Sequence, residues 1–130
     1  MKRYIIALDE GTTSTRAVLY DLKKKKIERI ASRPLEQFYP ESGYVEENAA
    51  EIYAETLSAL AETIESVADT NEIAGIGVTN QRETVVMWNK KTGRPIYNAI
   101  VWQCRRTAEM CEELKKRGLT ERIQATTGLL

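Results

Sequence analysis

The chain has 130 residues, with 19 Lys plus Arg, 19 Asp plus Glu and no His, so its formal net charge is zero. A composition of 42% hydrophobic and 29% charged residues is typical of a single globular domain, and it argues against a nucleic-acid-binding arm or a polybasic membrane anchor. The lack of His excludes a His general base and a Ser-His-Asp triad, so carboxylates, hydroxyls, Arg, Lys and backbone amides must carry any reaction.

The chain also lacks the features of a membrane or secreted protein. Its longest unbroken apolar run, residues 4–8, is far too short to cross a bilayer. No small-residue cleavage site follows the basic start Lys2-Arg3, so we expect no signal peptide. Two cysteines without a disulfide framework favour a reducing compartment. These features predict a cytoplasmic protein with no membrane span.

The first half of the chain predicts a sheet followed by a helix. Residues 4–8, 16–20 and 27–31 are apolar segments separated by short polar turns, a pattern typical of an antiparallel meander. Residues 34–45 contain Pro and Gly and predict a loop. Asn48 and Glu51 have the spacing of a capping box at a helix start. We expect the following helix to bury one apolar stripe in the core, formed by Tyr53, Leu57, Leu60, Ile64 and Val67.

The second half returns to strands and then to helices. Residues 73–78 predict a buried strand, residues 85–88 a further strand, and residues 96–102 an extended segment. Residues 105–117 predict a helix that Gly118 ends, with a short helical piece at 119–124. The order indicates an α/β protein with a mixed sheet of about five strands and flanking helices. Two clear helices leave one sheet face thinly covered, which favours association or missing partner contacts.

The first candidate site is the turn after the first strand, Asp9-x-Gly11-Thr12-Thr13-Ser14. Gly11 permits close backbone approach, and consecutive amides and hydroxyls form a donor set suited to phosphate oxygens. Asp9 could hold Mg²⁺ directly or through water. The segment lacks the G-x-x-x-x-G-K-[ST] pattern of a P-loop. The alternative is an ordinary hairpin turn in which Asp9 bonds to its own backbone.

Two further segments carry candidate ligand-binding groups. Residues 79–83 follow another predicted strand. There Arg82 can donate hydrogen bonds to the hydroxyl groups of a polyhydroxyl compound, and Glu83 can accept hydrogen bonds from them. The alternative is a surface turn with an exposed ion pair. Trp102 ends the extended segment and could pack against the carbon face of a small ligand. The alternative there is a core tryptophan.

Three motifs together resemble the glycerol kinases of the FGGY carbohydrate kinase family. They are residues 9–17 (DEGTTSTRA), 79–84 (TNQRET) and 95–107 (PIYNAIVWQCRRT), and the resemblance continues to residue 129. Pentulose kinases of the family have a sequence similar to Gly-Gln-Met-His where this chain has Asn-Gln-Arg-Glu at residues 80–83, and they usually carry Asp where this chain has Cys104. Both differences favour glycerol as substrate. The resemblance implies an actin-like, ribonuclease-H-like ATPase fold.

The resemblance also implies roles for individual residues. Thr12, Thr13, Ser14 and Arg16 would contact the phosphates of ATP or ADP, and Asp9 would support Mg²⁺. Glycerol would be held by three further residues, namely Arg82, Glu83 and Trp102. The γ-phosphoryl group of ATP would pass to a terminal glycerol hydroxyl to give sn-glycerol 3-phosphate, a reaction that depends mainly on positioning and charge stabilisation.

Members of this family are several times longer than 130 residues. The resemblance places the catalytic aspartate base and the adenine-binding second domain beyond Leu130, so no catalytic residue is expected within the chain. We therefore interpret residues 1–130 as an incomplete N-terminal domain, inactive alone, of a full-length protein expected to be a homo-oligomer. The alternatives are a non-catalytic binding module of the same fold and a different FGGY sugar kinase.

Overall fold

The structure is a computed structural model that describes residues 1–129. Within this range the chain forms seven strands, three α-helices and a 3-10 turn at Thr70–Glu72. The strands are β1 (Tyr4–Glu10), β2 (Ser14–Asp21), β3 (Lys26–Pro34), β4 (Gln37–Phe38), β5 (Glu46–Glu47), β6 (Ile73–Thr79) and β7 (Ala99–Ile100). The helices are α1 (Ala49–Glu65), α2 (Ala108–Lys116) and α3 (Thr120–Thr127).

The main sheet is mixed and has the strand order β3-β2-β1-β6. The predicted meander is confirmed, because β1, β2 and β3 pair antiparallel. β6 joins β1 in parallel, which places the carboxyl ends of β1 and β6 at the same edge of the sheet. The α/β class is thereby confirmed, although this sheet has four strands in the described part of the chain, not the five expected.

The prediction of a strand at residues 85–88 is wrong. That segment makes only two isolated bridges, from Val85 to Ile100 and from Trp88 to Pro95. The Asn89 and Ile96 amides donate to the carbonyls of Arg94 and Met87 beside the second bridge, but the pairing does not extend into a ladder. The extended segment that follows contributes β7 to a second, small sheet with the order β4-β5-β7.

Helix α1 packs on one face of the main sheet, against β2 and β3. Asn48 begins it as predicted, since its side chain accepts hydrogen bonds from the amides of Ala50 and Glu51 at 2.9 and 3.3 Å. Ala59 and Thr63 are fully buried between the helix and the sheet. The Thr63 hydroxyl donates to the Ala59 carbonyl at 2.9 Å, so its burial leaves no unpaired polar atom.

The buried face of α1 is rotated from the predicted stripe. Tyr53 and Leu57 are 67% and 45% exposed, so the expectation that they belong to the core is wrong. Leu60, Ile64 and Val67 do pack at the core, with β1 and β2 residues. The side of α1 that faces the sheet instead carries Ala59 and Thr63, with Thr56 hydrogen-bonded through its hydroxyl to Thr15 of β2 at 2.9 Å.

Much apolar surface of the main sheet is uncovered. Ile5 and Ile30 are 39% and 55% exposed, and on β6 Ile76 and Val78 are 47% and 71% exposed. Residues 73–78 therefore form the predicted strand, but not a buried one, because β6 is the sheet edge that α1 does not reach. The exposure agrees with the thin helical cover expected from the sequence.

The two C-terminal helices are short and largely exposed. Helix α2 starts three residues later than predicted, because the Cys104 amide donates to the Val101 carbonyl and the Ala108 amide to the Arg105 carbonyl, which makes turns before the helix. Gly118 follows α2 with φ of 71°, the left-handed conformation expected of a helix-ending glycine. Among residues 1–129, no helix combines the length and apolar character needed to span a membrane.

Candidate functional site

The first predicted motif forms the tight turn between β1 and β2. The Gly11 amide donates to the Ser14 carbonyl at 3.1 Å. A Cβ at position 11 would lie 3.0 Å from that carbonyl oxygen, which is tighter than most such contacts, so glycine lets the turn close without a shift of its backbone. Within the described residues, the amides of Thr12 and Thr13 donate no hydrogen bond. These two donors are therefore available to an anion, which is what a phosphate-binding turn needs.

Asp9 and Arg16 face each other at the base of this turn. They are paired across the β1–β2 ladder, and Arg16 Nη2 lies 2.9 Å from Asp9 Oδ2. Both side chains remain more than 40% exposed. The alternative of an Asp9 side chain bonded to its own backbone is therefore wrong, and the pair presents one cation and one carboxylate beside the free amides.

The second motif follows β6 at the same edge of the sheet. The side chains of Arg82 and Glu83 are exposed and form neither a salt bridge nor a hydrogen bond within residues 1–129, which excludes the alternative of an ion pair there. Glu83 adopts φ of 63°, a conformation that costs a non-glycine residue about 1–2 kcal/mol. Strain of this kind is concentrated at functional sites.

The third motif brings Trp102 against the first. Its indole Nε1 donates to Thr12 Oγ1 at 2.9 Å, and its backbone amide donates to Thr84 Oγ1 at 3.2 Å. Trp102 is 52% exposed, so the alternative of a core tryptophan is wrong. Its ring is accessible to a ligand beside the phosphate-binding turn.

Residues from all three motifs line one open cleft of about 280 Å³. The lining is contributed by Asp9, Glu10, Gly11, Thr12, Asn80, Gln81, Arg82, Glu83 and Trp102. Five of the eight residues selected from the sequence are in this set. Thr13, Ser14 and Arg16 are not, but they continue the same turn into β2. Since β1 and β6 are parallel, their ends deliver the first two motifs to one place.

A buried ion pair that the sequence analysis missed supports the third motif. Glu46 is 2% exposed and accepts hydrogen bonds from Arg106, from Tyr97 Oη at 3.0 Å and from Asn98 Nδ2 at 2.9 Å. The hydrogen bond from Arg106 is the main cause of a lowered pKa for the Glu46 carboxyl, which therefore stays ionised. These three partners flank Trp102 on both sides along the chain.

The neighbouring Glu47 is buried differently. Its side chain is fully buried and accepts from Gln81 Nε2 at 2.8 Å and from Gln37 Nε2 at 3.1 Å. Burial raises the pKa of this carboxyl, because no cation replaces the lost hydration. Two consecutive glutamates are ordinarily solvent-exposed, so no local signal in the sequence indicates their burial.

Comparison with solved structures defines the class of fold. The chain superposes on gluconate kinase from Lactobacillus acidophilus with a TM-score of 0.86 at 25% identity, covering 97% of this chain and 25% of that one. It superposes on Plasmodium falciparum glycerol kinase, solved with ADP, with a TM-score of 0.80 at 32% identity, covering 93% and 24%. The fold is therefore the actin-like ATPase fold of the sugar kinases, as expected.

Sequence comparison identifies the family. Residues 4–130 match the FGGY family of carbohydrate kinases, N-terminal domain. The chain is 54% identical to a glycerol kinase of Aliivibrio fischeri over 130 residues and 53% identical to one of Treponema denticola over 131 residues. The chain belongs to the FGGY family of carbohydrate kinases. It spans about a quarter (26%) of the length of these relatives.

Proposed function

We propose that the chain is the N-terminal, phosphate- and glycerol-contacting part of an ATP-dependent glycerol kinase that acts in glycerol catabolism. The observation that carries the proposal is the single cleft in which the three motifs meet. Within residues 1–129, the amides of Thr12 and Thr13 and the side chains of Arg82 and Glu83 make no hydrogen bond, and the indole of Trp102 is exposed. A phosphate group and a small polyol can thus bind next to each other.

The polyol side of the cleft suits glycerol. The Arg82 guanidinium donates to hydroxyl oxygens and the Glu83 carboxylate accepts from hydroxyl protons, so together they can orient adjacent hydroxyl groups. The Trp102 ring offers an apolar face for the carbon chain. Supporting this assignment, relatives more than 50% identical to the chain are glycerol kinases.

The phosphate side suits ATP and ADP. Phosphate oxygens would be bound by the amides of Thr12 and Thr13, the Ser14 hydroxyl and the Arg16 guanidinium, which would also stabilise charge that develops during transfer. One carboxylate, Asp9, with two oxygens of which one contacts Arg16, fits Mg²⁺ held mainly by phosphates and water. When bound there, Mg²⁺ supplies charge neutralisation of the transferring group.

Each carboxylate that lines the described cleft already has a partner or a proposed role. Asp9 pairs with Arg16, Glu10 accepts from Gln81, and Glu83 is assigned to glycerol. We therefore propose that the base and the adenine site belong to sequence outside these residues, that the 130-residue chain is inactive alone, and that the complete enzyme is a cytoplasmic homo-oligomer.

The test is an ADP-release assay on two proteins: the 130-residue chain and the product of the longest reading frame that contains it. Glycerol-dependent ADP release is expected from the longer product and not from the chain. A non-catalytic binding module would bind glycerol without ADP release from either protein. A different sugar kinase would turn over a sugar in preference to glycerol.

A further inference from the structure

Gln81 lies in the second motif but differs from its neighbours. Asn80 and Arg82 are exposed, whereas Gln81 is 7% exposed. Its amide Nε2 donates to Glu47 Oε2 at 2.8 Å, to Glu10 Oε1 at 3.0 Å and to the Gly11 carbonyl at 3.0 Å. Three acceptors for two N–H groups leave this donor fully satisfied.

The partners of Gln81 come from separate parts of the fold. Glu10 and Gly11 belong to the phosphate-binding turn, about 70 residues away along the chain, and Glu47 belongs to the small sheet. Gln81 Oε1 accepts from Thr84 Oγ1 at 3.0 Å, and that same hydroxyl accepts from the Trp102 amide. One buried side chain therefore connects all three motifs.

The hydrogen bond between Gln81 and Thr84 closes a loop around Arg82 and Glu83. Both intervening side chains are exposed and make no hydrogen bond of their own within residues 1–129. The Glu83 backbone is in a costly positive-φ conformation, which persists only where the surrounding structure determines it. Gln81 and Thr84, on either side of this pair, are both held by hydrogen bonds to other parts of the fold.

We infer that Gln81 is a positioning residue of the glycerol site, which holds Arg82 and Glu83 toward the phosphate-binding turn and Trp102. The inference rests on the proposed glycerol kinase function. Gln81 acts through the atoms it bonds, and direct contact with glycerol is not required of it.

The test measures the dissociation constant for glycerol by titration calorimetry, using the product of the longest reading frame that contains the chain. Gln81→Met keeps the length and volume of the side chain but removes its side-chain hydrogen bonds, while the backbone amide can still donate to Glu10 Oε2. We expect its affinity to fall about tenfold or more, as loss of a buried hydrogen-bond network implies. Gln124→Met, at an exposed position on α3, is the matched control and is expected to bind as the wild type does.

A paired substitution separates positioning from folding. Gln81→Glu places a third carboxylate beside Glu10 and Glu47 and should weaken binding. Adding Glu47→Gln removes one of the three carboxylates and returns a donor opposite position 81, whereas Glu10 and the Gly11 carbonyl still face the new carboxylate. We therefore expect the double variant to recover part of the affinity that Gln81→Glu loses. The double variant also decides the matter if Gln81→Met does not fold.

The outcomes distinguish the inference from the function on which it rests. Wild-type protein that does not bind glycerol overturns the proposed function and the inference together. Wild-type binding that Arg82→Ala abolishes, but that folded Gln81→Met retains at full affinity, overturns only the positioning role. Failure of Glu47→Gln to improve binding by Gln81→Glu also contradicts that role.

Discussion

The indole Nε1 of Trp102 donates a hydrogen bond to Oγ1 of Thr12 at 2.9 Å, although the two residues are 90 positions apart in the chain. This contact joins the ring proposed to cover the glycerol carbons to the turn proposed to bind phosphate. A phosphoryl group bound at Thr12 therefore lies beside a polyol bound at Trp102, which is the arrangement that phosphoryl transfer requires.

Thr12→Val should release the Trp102 indole N–H, because valine has the shape of threonine but no acceptor. We expect faster hydrogen exchange of that indole proton, measured by NMR, and a loss of about 1 kcal/mol or less in the free energy of unfolding, since the contact is exposed. The Trp88 indole is the internal control. Thr12→Ser, which keeps the hydroxyl, should leave the exchange rate unchanged, and rapid exchange already in the wild type would contradict the contact.

Arg82→Ala should weaken glycerol binding about tenfold or more, because hydrogen bonds from a charged donor contribute about 1.5–3 kcal/mol. Arg94→Ala is the matched control, since Arg94 is exposed on a neighbouring loop outside the cleft. Titration calorimetry with glycerol measures both variants. Equal affinities of the two variants would remove Arg82 from the site.

The positive φ of Glu83 predicts an unusual order of stability. Glu83→Gly should unfold with a free energy about 1 kcal/mol higher than Glu83→Ala, because only alanine retains the steric penalty. At Glu121, in the first turn of α3, the order should reverse by a similar amount because glycine is the poorer helix former. Denaturant unfolding of the four variants measures the differences, and an alanine variant as stable as the glycine variant at position 83 would show that the backbone is unstrained there.

The local features of the fold were predictable, whereas its long-range contacts were not. The start of α1 could be predicted from Asn48, because its capping side chain bonds to amides only two and three positions away. Tyr53 and Leu57 were misplaced because the side of α1 that faces the sheet carries Ala59 and Thr63, whereas a search for large apolar side chains selects the neighbouring side of the helix. Arg82 and Trp102, which line the cleft, could be selected from the sequence because of the hydrogen-bonding and stacking capacity of their side chains. Gln81 was not selected, because its bonds to Glu10 and Glu47 depend on strand order.

Asp21 makes stability depend on pH in the acid range. A hydrogen bond from Arg3, followed by those from the amides of Lys24 and Lys23, lowers the pKa of the buried Asp21 carboxyl from 3.8 to about 2. A lowered folded-state pKa stabilises the fold above the ordinary value, and this stabilisation is lost as the pH falls from about 4 to about 2.

The difference in free energy of unfolding between wild type and Asp21→Asn should therefore be largest near neutral pH and shrink below pH 4. Thermal unfolding across this range measures it. Glu36→Gln, which removes an exposed carboxylate instead of a buried one, is the matched control. A constant difference for Asp21→Asn from pH 7 to about 2 would contradict the assigned ion pair.

The most direct measurement is substrate-dependent ADP release by the product of the longest reading frame that contains these 130 residues. Glycerol, D-xylulose and gluconate are compared as phosphoryl acceptors, with Arg82→Ala as the site variant. If the cleft is the glycerol and phosphate site, glycerol has the highest kcat/KM of the three and Arg82→Ala loses most of it. A preference for xylulose or gluconate, or full glycerol turnover by Arg82→Ala, would contradict that assignment.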